Sequence, residues 1–152
     1  VSSPGRCEIV YKDPTVIIDA AHNPHGAAAL AKTINSEFDF EIVVGVVAVL
    51  ADKDVDGILE NLSTCLDYII ICQNSSNRAM AADQLAKVAG NYFKPEQIEV
   101  ISDLKGAITY AVEKVSMANQ VNEGVGAVLV TGSVVTAGSG RSILNSIGKV
   151  KS

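Results

Sequence analysis

Nine consecutive residues, IVVGVVAVL from Ile42 to Leu50, carry no polar side chain and are mostly β-branched. The run is far short of the roughly 20 residues that span a bilayer, and it lacks the alternation of a strand with one wet face. It fits a strand buried on both faces, as at the centre of a parallel sheet held between two layers of helices. AVLV, Ala127 to Val130, and TVII, Thr15 to Ile18, have the same character. Hydrophobic residues make up 48% of the chain but aromatics only 5%, with no tryptophan, so the core has to be built from Val, Ile, Leu and Ala. The expected class is α/β with three layers.

Short apolar runs alternate with helical patterns along the whole chain, as in a doubly wound sheet. Strands are expected at Cys7 to Tyr11, Thr15 to Asp19, Glu41 to Val49, Tyr68 to Cys72, Glu99 to Ile101 and Ala127 to Thr131. Helices are expected at Pro24 to Asn35, Val55 to Leu62, Ala82 to Gly90, Leu104 to Asn119 and Ser139 to Lys149. CEIVYK alternates and is separated from the next run only by KDP, which predicts a hairpin and therefore one antiparallel edge strand on a mainly parallel six-stranded sheet. Right-handed crossovers then place helices on both faces. With 152 residues and no linker or repeat, residues 1–152 read as a single domain. The polar start VSSPG, without an initiator Met, is expected for a fragment of a longer protein; an expression boundary accounts for it equally well.

A net charge of -5 argues against a nucleic-acid partner, since binders of phosphate backbones gather Lys and Arg on one face. Cys7, Cys65 and Cys72 sit in or beside apolar segments and show no zinc spacing, so no metal site is expected and a reducing compartment is. No apolar run is long enough for a membrane helix, and the N-terminus lacks the regions of a signal peptide. A cytoplasmic location is expected.

Ligands of parallel sheets bind beyond the carboxyl ends of the strands, which directs attention to residues 19–24, 50–54, 73–82 and 131–139. Asp19 ends TVIID, Asn23 with Pro24 opens a helix as N-cap and first residue, and Asp19 and His22 therefore face the crevice. Pure capping by Asn23 and Asp19 explains these residues equally well; His25 reads as an exposed first-turn residue. In VLVTGS, Gly132 and Ser133 form a small-residue turn able either to cradle an anion or simply to permit close packing. In ADKD, Asp54 reads as an N-cap, while Lys53 is placed to reach a phosphate or pair with Asp52. Arginine is scarce, only Arg6, Arg78 and Arg141, and its planar fork suits carboxylate or phosphate, though each is also readable as an ordinary surface charge.

Taken in order, SPGRCEIV, VIIDAAHNPHGA, LADKDVDGILENL, NRAMAADQLA and VLVTGSVVTAG resemble the C-terminal domain of folylpolyglutamate and dihydrofolate synthases, in the Mur ligase superfamily. The resemblance covers nearly the whole chain and implies a Rossmann-like domain. It implies an ATP-dependent ligase that joins glutamate to a folate or pteroate carboxylate through an acyl phosphate, with magnesium. By match to PGR and D-x-AHNP, Arg6 and Asp19 contact ATP. His22 and Asn23 occupy the positions beside the reacting groups, with His22 the catalytic candidate toward glutamate or the phosphates, and Ser133 contacts the incoming amino acid. The P-loop, the magnesium ligands and the carbamylated lysine of such ligases belong to a central domain that nothing here matches. This chain alone is therefore expected to be inactive and to close on that domain. The SGR segment departs from the usual pattern, and no role passes to Arg141. Two other readings are a cell-wall amino acid ligase using the same domain and a free-standing α/β binding or regulatory module.

Overall fold

The computed structural model describes residues 6–122 and 125–151. Pro4 and Gly5, which open the PGR motif, lie outside the described residues. Among the described residues, six strands form one sheet in the order β1-β2-β6-β3-β4-β5. The strands are β1 Glu8–Tyr11, β2 Thr15–Ile18, β3 Ile42–Val47, β4 Tyr68–Gln73, β5 Ile98–Asp103 and β6 Gly126–Thr131. Only the β1–β2 pairing is antiparallel, as the KDP hairpin predicts; β2–β6, β6–β3, β3–β4 and β4–β5 are parallel.

The apolar runs fall where burial on both faces demands. Val16, Ile18, Val44, Val46, Val128 and Val130 face one layer, and Ile17, Val43, Val47 and Leu129 face the other. Helices α1 Pro24–Glu37, α2 Val55–Leu62 and α3 Ala82–Ala89 cover the second set, through Leu30, Ile34, Ile58, Leu62 and Leu85. Helices α4 Leu104–Asn122 and α5 Val134–Lys151 cover the first, through Ile108, Ala111, Val115 and Leu144. The edge strand β5 is the exception: Glu99 and Val100 are exposed, as are Ser102 and Asp103.

Three side-chain carboxyl or amide groups start helices at the carboxyl edge. Asn23 Oδ1 accepts from Gly26 N at 2.7 Å, Asp54 Oδ1 from Gly57 N at 3.0 Å and Asp103 Oδ2 from Gly106 N at 2.8 Å. Each satisfies one of the amide groups that a helix leaves without a partner.

The main departure from expectation is α5, which begins at Val134 and not at Ser139. The sequence VVTAGSG holds β-branched residues and two glycines, all poor helix formers. Tertiary packing overrides that preference. Ser133 Oγ accepts from Thr136 N at 2.9 Å, and Thr136 Oγ1 donates to Ala48 O, at the end of β3, at 2.7 Å. At Gly140 an added Cβ would stand 3.0 Å from Val130 Cγ1, so the small residue lets α5 lie down on β6. The loop expected over 131–139 is reduced to Gly132 and Ser133.

Gly132 has φ +122°, and a Cβ there would fall 2.3 Å from Ala48 O. Both the backbone conformation and the approach to β3 require glycine. Gly132→Ala should destabilise the domain by about 3 kcal/mol or more, strain and overlap adding, as a lowered urea midpoint with an unchanged slope.

Candidate functional site

Asp19 follows β2 directly and is only 7% exposed. Its carboxylate is the knot of this corner: Oδ2 accepts from Cys7 N at 2.9 Å and Oδ1 from Ala21 N at 2.8 Å. One side chain thus joins the segment entering β1 to the AHNP turn. Burial pushes the Asp19 carboxyl above its ordinary value, opposed by the two amide bonds, by the Cys7 thiol and by the Arg6 cation. Cys7 adopts φ 45°, a left-handed conformation costly for a residue with a Cβ. Its thiol is pushed up to about 12, by burial first and then by the Asp19 carboxylate, which disfavours the thiolate that a nucleophile needs.

Arg6, His22 and Asn23 surround this knot and are all exposed. His22 Nδ1 lies 3.1 Å from Ala20 O; as donor there it leaves Nε2 as the ring acceptor. Asn23 Oδ1 is occupied by its capping bond, as the helix start predicts. His25 is exposed on the first turn, also as expected.

Ser133 is drawn elsewhere. It is buried, and its hydroxyl sits 2.9 Å from Thr136 Oγ1 and accepts from Asn74 Nδ2 at 3.2 Å. Asn74 Nδ2 also donates to Thr136 Oγ1 at 3.1 Å. The Ser133 hydroxyl is therefore committed to an interior network, and only its backbone remains for the crevice. Asn74 and Thr136 escaped sequence reasoning, because Asn in QNSSN reads as an ordinary turn former and Thr in VVTAG falls in the loop expected over 131–139.

The other two arginines are each paired with a carboxylate. Arg78 Nη2 pairs with Asp52 Oδ2 at 2.5 Å and holds that carboxyl below its usual range; Asp52 is thus bound by Arg78, whereas the sequence offered Lys53 as its partner. Arg141 Nη2 pairs with Glu8 Oε1 at 2.7 Å, fastening α5 to β1. A cavity of about 510 Å³ opens at the ends of β4 and β5, lined by Gln73, Asn74, Asp103, Lys105 and Ser139 among others, and none of Arg6, Asp19, His22 or Asn23 lines it. Arg6, His22 and Asn23 stand exposed around the buried Asp19, outside that cavity. Among the described residues, no three His, Cys, Asp or Glu side chains gather to hold a metal ion.

Residues 5–134 match the family described as Mur ligase, glutamate ligase domain. The chain is 45% identical to the dihydrofolate synthase/folylpolyglutamate synthase of Mycobacterium tuberculosis over 149 residues, covering 94% of this chain and 31% of the relative. Its fold superposes on that organism's folylpolyglutamate synthase complexed with ADP with a TM-score of 0.90 at 45% identity, covering 95% of this chain and 33% of that one. A bifunctional folylpolyglutamate synthase/dihydrofolate synthase with Mn, AMPPNP and L-glutamate bound gives 0.75 at 30% identity, over 95% of this chain and 32% of the other. The chain spans about a third of the length of each of these three proteins. An Asp-anchored AHNP turn on a doubly covered, mainly parallel sheet, and a match over most of its length, mean that this chain belongs to the Mur ligase family as its glutamate ligase domain.

Proposed function

We propose that this chain is the nucleotide- and glutamate-contacting domain of an ATP-dependent folylpolyglutamate/dihydrofolate synthase, which ligates glutamate to a folate or dihydropteroate carboxylate through an acyl phosphate. The observation that carries this is the Asp19 carboxylate, which binds the Arg6–Cys7 segment and the AHNP turn into one corner. The names of the 45% identical relatives favour the folate branch over a cell-wall ligase.

In this reading Arg6 offers its fork of donors to the nucleotide phosphates. Asp19 has both oxygens engaged by amides, yet each carboxylate oxygen retains a second lone pair for a ribose hydroxyl. His22, oriented through Ala20 O, presents Nε2 where a proton of the incoming amine is to be taken up. Asn23 lends its free amide to the same substrate. Ser133 serves the amino acid through the backbone of its turn, its hydroxyl being tied to Asn74 and Thr136. ATP supplies the phosphoryl group that activates the carboxylate. Magnesium belongs to such chemistry, and its ligands are assigned to the remainder of the enzyme. That remainder would close over Arg6, His22 and Asn23 and exclude water from the activated carboxylate. Three free cysteines suit a cytoplasmic enzyme; among the described residues no helix is long and apolar enough to cross a membrane.

Calorimetry on a full-length ligase carrying this domain tests the assignment. Arg6→Ala should weaken ATP binding roughly 10- to 100-fold, the scale of one charge-assisted contact, with the fold's melting midpoint unchanged. Unaltered affinity and turnover would overturn the assignment.

The pH dependence follows from Asp19. Its folded-state value lies above the ordinary 3.8, so on acidification it gains a proton, and loses acceptor strength toward the ribose, earlier than a solvated aspartate. As the pH is lowered, nucleotide affinity should therefore begin to fall while the pH is still above 3.8, and Asp19→Asn should remove that inflection.

A further inference from the structure

We infer that the segment Asn74–Met80, between β4 and α3, is a brace holding the β3–α2 and β6–α5 loops in one fixed relation, with Asn74 and Arg78 as its positioning residues. At one end the buried Asn74 amide donates to Ser133 Oγ and Thr136 Oγ1, at 3.2 and 3.1 Å. Strand β3 stands between β4 and β6 in the sheet, so this side chain reaches across the end of a whole strand. The carbonyl at that strand's end, Ala48 O, is itself held by Thr136 Oγ1.

At the other end the segment pairs with the chain leaving β3. Ala51 N donates to Arg78 O at 2.8 Å and Met80 N to Val49 O at 2.9 Å, around an antiparallel bridge between Leu50 and Ala79. The Arg78 guanidinium clasps Asp52 on the outside of this short ladder. Between the two ends the segment is stiffened from within. Ser76 N donates to Asn74 Oδ1 at 3.0 Å, and Arg78 N donates to Ser76 Oγ at 3.1 Å. Ala79 N donates to Ser76 O at 3.1 Å. An unbroken series of hydrogen bonds therefore leads from Thr136 on α5, through Asn74, Ser76 and Arg78, to Asp52.

Both ends are engaged within the protein. The Asn74 amide is buried with its donors spent, and the Arg78 fork is turned on Asp52. What the two residues govern is where the loop of Lys53 and the turn of Ser133 stand. The kinetic consequence, though not the brace itself, rests on the ligase reading above.

Amide hydrogen exchange on the chain reads the brace directly. Arg78→Ala, at a side chain 56% exposed, leaves the fold intact and should speed exchange of the Ala51 and Met80 amides roughly two- to fivefold, the weight of one exposed ion pair. The exchanged pair, Arg78→Asp with Asp52→Arg, should restore it. Asn74→Ala should speed the Thr136 amide and also that of Ala51, which Asn74 does not contact. Unchanged Ala51 and Met80 exchange in both Arg78→Ala and Asn74→Ala would overturn the inference. In a full-length ligase, Arg78→Ala should raise the KM for the amino acid a few-fold with kcat little altered, and the exchanged pair should recover it. Responsive exchange with silent kinetics would uphold the brace and count against the ligase reading of these loops.

Discussion

A strand buried on both faces has nowhere to place a polar side chain except at its end. That constraint, written in IVVGVVAVL, TVII and AVLV, governs the rest of the molecule. It demands helices above and below, which forces parallel crossovers, which bring the polar loops to one edge of the sheet. Asp19, Asn74 and the TGS turn all stand where an apolar strand gives out. Chemistry collects at this edge because the interior leaves it no other place.

Burial continues past the strand ends, and there the polar groups have to satisfy one another. Asp19 does so by accepting two backbone amides; Asn74, Ser133 and Thr136 do so among themselves and with Ala48 O. Thr131 Oγ1, the last side chain of β6, is buried without a hydrogen-bond partner among the described residues. Most of the carboxyl edge is thus a rigid platform, and the groups left facing outward, Arg6, His22 and Asn23, are presented by side chains that face inward.

Legibility in the sequence divides along the same line. The order of strands and helices, the antiparallel edge, the caps of α1 and α2 and the placing of Asp19 followed from local pattern, because apolar period, N-cap chemistry and X-Pro restriction act within a few residues. The start of α5 did not, since VVTAGSG is helical only through packing on β6 and the bond from Thr136 to Ala48. The partners of Ser133 and Asp52 were also beyond reach: Asn74 and Arg78 are 59 and 26 residues distant in sequence. The AHNP turn was visible as a helix start, but its tie to Cys7 joins residues 12 apart and appears only once β1 folds back on β2.

The exposed outer strand has a bearing on how copies of this chain treat one another. β5 ends the sheet in parallel register, so its outer backbone groups form a template on which another strand could add. Val100, 48% exposed, is the apolar residue there. Glu99 stands next to it, Asp103 closes the strand and Glu96 precedes it. Two such edges brought together would bring acidic side chains close on proteins that each already carry a net charge of -5, a repulsion that opposes edge-to-edge pairing.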